Sequence, residues 1–112
     1  MAVSPINPHA LMDSITQAEH IDARVLAANT VETFQAPAGA KYVRLAGDGA
    51  FYAKIAAAST PAAVPAADVT DGTGSELFPN GNAEYRTLPV DQGYVSVIAT
   101  ATRVVTLSFY RN

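Results

Sequence analysis

Two aromatic and two cationic residues recur at alternate positions in one short stretch: Tyr42 and Arg44, then Tyr52 and Lys54. Tyrosine and arginine together can stack on a partner and hydrogen-bond it at modest entropic cost, which makes the four candidates for a contact surface. On a solvated sheet face the same side chains would lay their stems over apolar area and form cross-strand pairs, and their types leave that alternative open. Base stacking uses similar residues. However, seven Lys and Arg against ten Asp and Glu, a formal net charge of -3, supply no basic field for a phosphate backbone, and no nucleic-acid partner is expected.

Residue sets that catalyse reactions do not stand out. The only histidines, His9 and His20, both fall near the N-terminus, where a surface or capping role is the default. The chain contains no G-x-S-x-G, H-E-x-x-H, P-loop or G-x-G-x-x-G motif, and nothing nominates a pair of carboxylates for glycoside hydrolysis. Gly47, Asp48 and Gly49 read as a turn, and Gly72, Thr73 and Gly74 lack the following helix that a phosphate cradle needs. A non-enzymatic protein is expected. Asp68, Asp71 and Glu76, set among Thr70, Thr73 and Ser75, offer clustered oxygens of the kind that hard cations take, but their spacing departs from the EF-hand pattern. With no cysteine there is neither a disulfide framework nor a thiolate metal site, and no metal or cofactor is expected.

The elements that must position these residues are short and alternating. Residues 41–55 place Val43 and Leu45 before a glycine-rich break and Phe51, Ala53 and Ile55 after it, which predicts a β-hairpin with the Tyr and cationic residues sharing its other face. Further strands are predicted at 23–27, where Ala23, Val25 and Ala27 share a face, and at 31–35, where the facing is ambiguous. The rest lie at 84–88, 94–99 and 103–111, the last with Val105, Leu107 and Phe109 toward the core. Asn80-Gly81 and Asp91-Gln92-Gly93 supply turns.

Residues 57–83 read as a long irregular loop containing three prolines, with a short strand near 67–70 as part of its surface-connection reading. Such a loop is read either as a surface connection or as an arm that orders against a neighbour, with Leu77 and Phe78 as its apolar anchors. Residues 1–22 read as an N-terminal arm, with a short helix as the alternative over 9–20, capped by Asn7 with Pro8 at its first position. No run approaches the roughly 18 apolar residues of a membrane span, and no basic n-region opens the chain, so no membrane partner is expected.

At 112 residues, 49% hydrophobic and 15% charged, the chain supports one globular domain. The expected fold class is all-β: a single-domain β-sandwich over 23–112, jelly-roll or Ig-like, with a barrel as its structural rival. Strands this short leave edges that copies of the chain could cover by symmetry, which favours a homo-oligomer.

The runs PAGAKYVRLAGDGAFYAKI, AAVPAADVTDGTGSELF and VSVIATATRVVTLSFYR together resemble a family of small virion structural proteins of tailed bacteriophages and prophages. The resemblance covers about residues 23–112, and residues 1–22 lie outside it. It implies a virion component. A capsid decoration or cement protein fits best, with the major capsid protein and copies of itself as partners, at the capsid surface after assembly in the host cytoplasm. The alternatives are a receptor- or carbohydrate-binding module of a head or tail fibre, with Tyr42 and Tyr52 supplying the aromatic surface, and a tail or neck component.

Overall fold

Strict alternation along residues 103–110 dictates how the core is built, because successive side chains of a strand leave on opposite faces. Val105, Leu107 and Phe109 are buried, as the sequence predicts. The computed structural model describes residues 20–111, which carry eight strands and no helix. They are β1 (His20–Leu26), β2 (Glu32–Gln35), β3 (Tyr42–Gly47), β4 (Phe51–Ala56), β5 (Glu76–Phe78), β6 (Glu84–Thr87), β7 (Tyr94–Ile98) and β8 (Arg103–Tyr110).

The strands form two four-stranded sheets, ordered β1-β8-β3-β6 and β2-β7-β4-β5, with every pairing antiparallel. The pairings are nested: β1 with β8, β2 with β7, β3 with β6 and β4 with β5. This is a long antiparallel ribbon rolled up on itself, closed by β3 with β8 and β4 with β7. The connectivity is that of a jelly roll rather than an Ig-like sandwich.

Both sheets contribute to one core. Val43, Leu45, Val105, Leu107 and Phe109 come from the first sheet, and Phe51, Ala53, Phe78, Val95 and Val97 from the second. Phe51 and Phe78 stack with ring centroids 4.7 Å apart at 5°. Full burial of side chains of this size contributes roughly 1.5–3 kcal/mol each.

The expected hairpin at 41–55 is a correction. β3 pairs with β6 and β8, whereas β4 pairs with β5 and β7, so the two strands lie in different sheets. The alternating pattern fits both geometries, since it fixes only which side chains face inward. The chain arches over from one sheet to the other because hydrogen-bonding partners for the turn lie elsewhere. The Gly47 amide donates to the Gly81 carbonyl at 2.8 Å, the Asp48 amide donates to the Val104 carbonyl, and the Val104 amide donates back to Asp48 Oδ1 at 3.1 Å. Gly81 is required there. Its φ is +70°, and a Cβ would stand 2.3 Å from the Gly47 carbonyl oxygen.

Three boundaries also move. Residues 20–22, assigned by sequence to the N-terminal arm, belong to β1, where all seven residues pair with β8. The alternative helix over 9–20 and the rest of the arm lie outside the described residues, apart from His20, which is in the strand. No strand forms at 67–70; β5 forms instead at Glu76–Phe78, inside the stretch read as loop. Glycine and proline punctuation around β5 masks a strand of only three residues.

Candidate functional site

Residues directly opposite on neighbouring strands point the same way, so the register defines each outer face. On the sheet ordered β1-β8-β3-β6, Tyr42 lies between Thr87 and Tyr110, and Arg44 lies between Tyr85 and Ser108. Beyond these, Ile21 stands opposite Ser108, Ala23 opposite Thr106 and Val25 opposite Val104. Among the described residues, Arg44 is the one charged side chain in these rows. Val25 is 68% exposed, Ile21 53%, Tyr85 49%, Val104 44% and Tyr42 39%. Five large apolar or aromatic residues thus cluster on one open face, a pattern that marks interaction surfaces.

Tyr110 lies within this face yet is buried, with its ring centroid 5.8 Å from that of Tyr85. Burial pushes its hydroxyl pKa above the ordinary tyrosine value, reinforced by a hydrogen bond with Tyr85 and opposed by the Arg44 charge.

The other sheet presents a different surface, because residues 57–75 fold down over it. Ser96 points outward, between Thr33 and Lys54, and is nevertheless fully buried. Its Oγ accepts the Ala62 amide at 2.7 Å and bonds Thr33 Oγ1 at 2.8 Å. Lys54 Nζ donates to the Thr73 carbonyl at 2.7 Å and to that of Gly74 at 3.4 Å. The long loop is therefore a cover pinned to its own sheet.

This arrangement divides the residues selected from sequence. Tyr42 and Arg44 are on the open face, whereas Tyr52 and Lys54 are on the outer face of the opposite sheet, so the four do not make one surface. Leu77 stands opposite Tyr52 and is exposed. Phe78 is core, stacked on Phe51, and is not an exposed anchor. Alternation explains the difference: within β5, Leu77 must face out if Phe78 faces in.

Sequence reasoning missed Ile21, Val25, Val104 and Tyr85. The available signal was the period-two run Ile21, Ala23, Val25, and a sequence showing only that three residues share a face does not say whether that face is covered.

Asp71 and Glu76, two of the acidic residues of the 57–83 stretch, are engaged locally. Asp71 Oδ1 accepts from Thr73 Oγ1 at 2.6 Å and from the Thr73 amide at 3.1 Å, which holds its carboxyl below the ordinary range. Glu76 is bound by Arg86, with Arg86 Nε to Glu76 Oε1 at 2.9 Å, and its pKa is lowered chiefly by that hydrogen bond. Among the described residues no three His, Cys, Asp or Glu side chains gather as a metal site. An open groove of about 350 Å³ runs between the cover and the β5–β6 margin, lined by Lys54, Glu76 and Arg86 among others. The charged groups of these three are already committed to the protein's own carbonyls and ion pairs.

Both margins of the sandwich are closed by the same device. Arg24 on β1 places its guanidinium 4.1 Å from the Phe34 ring centroid and 3.3 Å from Glu32 on β2. Arg86 on β6 lies 5.3 Å from the Phe78 centroid and pairs with Glu76 on β5. In each case a Glu-x-Phe strand of one sheet receives an arginine from the other. No family model matches the chain, and no curated protein matches it either.

Proposed function

We propose that the protein is a non-enzymatic virion structural component, a capsid decoration or cement protein that docks on the major capsid protein lattice and stabilises the head. The observation that carries this reading is the open face bearing Ile21, Val25, Tyr42, Tyr85 and Val104, weakly charged and apolar. It has the composition of a surface that gains by being covered, with aromatic residues present and charge sparse. The jelly roll, an architecture used in viral capsid and lectin domains, and the resemblance of residues 23–112 to virion proteins support it by analogy. Repetition over equivalent lattice sites makes modest affinity per site sufficient, and each docking event stabilises the folded form.

The alternative, a carbohydrate-binding fibre module, draws on the sandwich fold and on Tyr42 and Tyr52 as exposed aromatics; the two tyrosines occupy outer faces of different sheets and do not form one surface.

The test is co-sedimentation of purified protein with undecorated, expanded capsids. Binding at micromolar protein, lost on Val25→Asp or Tyr85→Asp, is the expected result. Absence of binding, or binding indifferent to both changes, overturns the reading. Copy number in the particle separates decoration from a fibre or neck role, since a lattice protein follows the capsid symmetry.

A further inference from the structure

We propose that two copies of the chain pair β1 against β1 in antiparallel register centred on Ala23, joining two four-stranded sheets into one continuous sheet. Among the described residues, β1 pairs only with β8, so its other side is a sheet edge. The remaining edge strands, β2, β5 and β6, have four, three and four residues; β1 has seven. Natural sheets blunt their edges with shortness, proline, outward lysine, a bulge or inward-pointing charges. β1 has only the last, Asp22 and Arg24, which a second copy can match because they are of opposite sign. It pairs without interruption along its whole length, and its outward residues are Ile21, Ala23 and Val25.

The occupant of that edge follows from the sequence of the strand itself. An antiparallel second copy centred on Ala23 sets Ile21 opposite Val25 of the second copy, and Val25 opposite its Ile21, on the outer face. On the inner face Asp22 meets Arg24 of the second copy, and Arg24 meets its Asp22. Ala23 meets Ala23 at the two-fold axis. Unlike charges and apolar pairs directly opposite one another each favour the pairing.

Neighbouring registers fail on physical grounds. Shifting by one residue between the partners would set inward residues against outward ones. Centring on Asp22 or Arg24 instead would place like charges on the axis. In the single chain Asp22 and Arg24 lie 3.6 Å apart and keep 27% and 34% of their side-chain surface exposed at the sheet margin, within reach of a second copy. This pairing stands whether or not the assembled protein decorates a capsid.

The experiment is analytical ultracentrifugation of the full chain up to about 100 μM, a concentration at which a pairing of modest affinity is populated. The expected result is a dimer. Ala23 is exposed on the outer face, so Ala23→Lys and Ala23→Glu leave the fold intact, as circular dichroism will verify, while each sets two like charges on the axis. Each variant alone should lose self-association by at least about tenfold, and an equimolar mixture of the two should dimerise again through Lys–Glu pairs. A wild-type chain that stays monomeric overturns the proposal, including the case in which residues 1–19 occupy the edge. So does a dimer that Ala23→Lys leaves unchanged.

Discussion

The guanidinium of Arg24 sits 4.1 Å from the ring centroid of Phe34, bridging the edge strand of one sheet to the edge strand of the other. Arg86 and Phe78 repeat the relationship at the opposite margin. A sandwich's edges are where water can reach the core, and here each is sealed by a flat cation lying on an aromatic face, tethered by a glutamate two residues before it.

Arg24→Ala and Arg86→Ala should therefore each lower unfolding free energy by about 1–2 kcal/mol, combining a cation–π contact with a partly exposed ion pair. Lysine at either position should recover only part of the loss, because an ammonium lacks the planar fork. The two losses should add, as the margins share no partner. Urea denaturation of the two single variants and the double variant measures all three expectations.

Acid should weaken the β5–β6 margin in a defined window. Arg86 stabilises ionised Glu76 only in the folded chain, so the Glu76 carboxyl titrates lower there than when unfolded. That stabilisation is present above the ordinary carboxylate range and disappears as pH falls through the lowered folded value. Glu76 is half exposed, and solvent screening keeps the effect within about 1 kcal/mol. Stability curves of wild type and Glu76→Gln should converge as pH drops, and parallel curves would show the pair to be inert.

Gly81 and Gly72 offer a controlled comparison, since both have positive φ, +70° and +89°. A Cβ at Gly72 meets nothing within 4 Å, and Gly72→Ala should cost about 1 kcal/mol of backbone strain. At Gly81 the same methyl collides with the backbone of the arch at Gly47 and Gly49, which cannot swing aside as a flexible side chain would. Gly81→Ala should cost about 2–3 kcal/mol. Equal losses from the two would mean that the arch does not depend on this contact.

Ser96→Ala tests the cover. Removing the hydroxyl strands the Ala62 amide at a buried site, with an expected cost of about 1–3 kcal/mol. The readout specific to this bond is hydrogen exchange and protease cleavage within residues 57–75, which should accelerate while β8 amides stay protected.

The inner faces of the strands were legible in the sequence because alternation is a local property. Val105, Leu107 and Phe109 declare their side in eight residues, and Val43, Leu45 and Phe51 do so as clearly. Strand partnership is not local. Nothing within residues 41–55 distinguishes a hairpin from an arch, because the deciding bonds come from Gly81 and Val104, far along the chain. The same limit split the expected contact surface. Tyr42 and Tyr52 alternate in phase, and only the sheet assignment sends them to opposite sides of the molecule. Ser96 was invisible for a further reason: an outward serine is ordinarily solvated, and only a cover arriving from residues 57–75 makes it structural.

Nested pairing also predicts an order of events during folding. β4 and β5 are joined by the shortest of the four nested connections, while β1 must find β8, with His20 against Phe109 near opposite ends of the described chain. Each wider closure costs more chain entropy before any contact repays it, which makes refolding slow for so small a protein. Stopped-flow kinetics should show β1 docking after the rate-limiting step: Leu26→Ala should accelerate unfolding and leave the refolding rate nearly unchanged, whereas Phe51→Ala should slow refolding. If β1 docks last, its partner β8 keeps an exposed edge until that step, and the interval before β1 closes should be when the protein is most vulnerable to proteases.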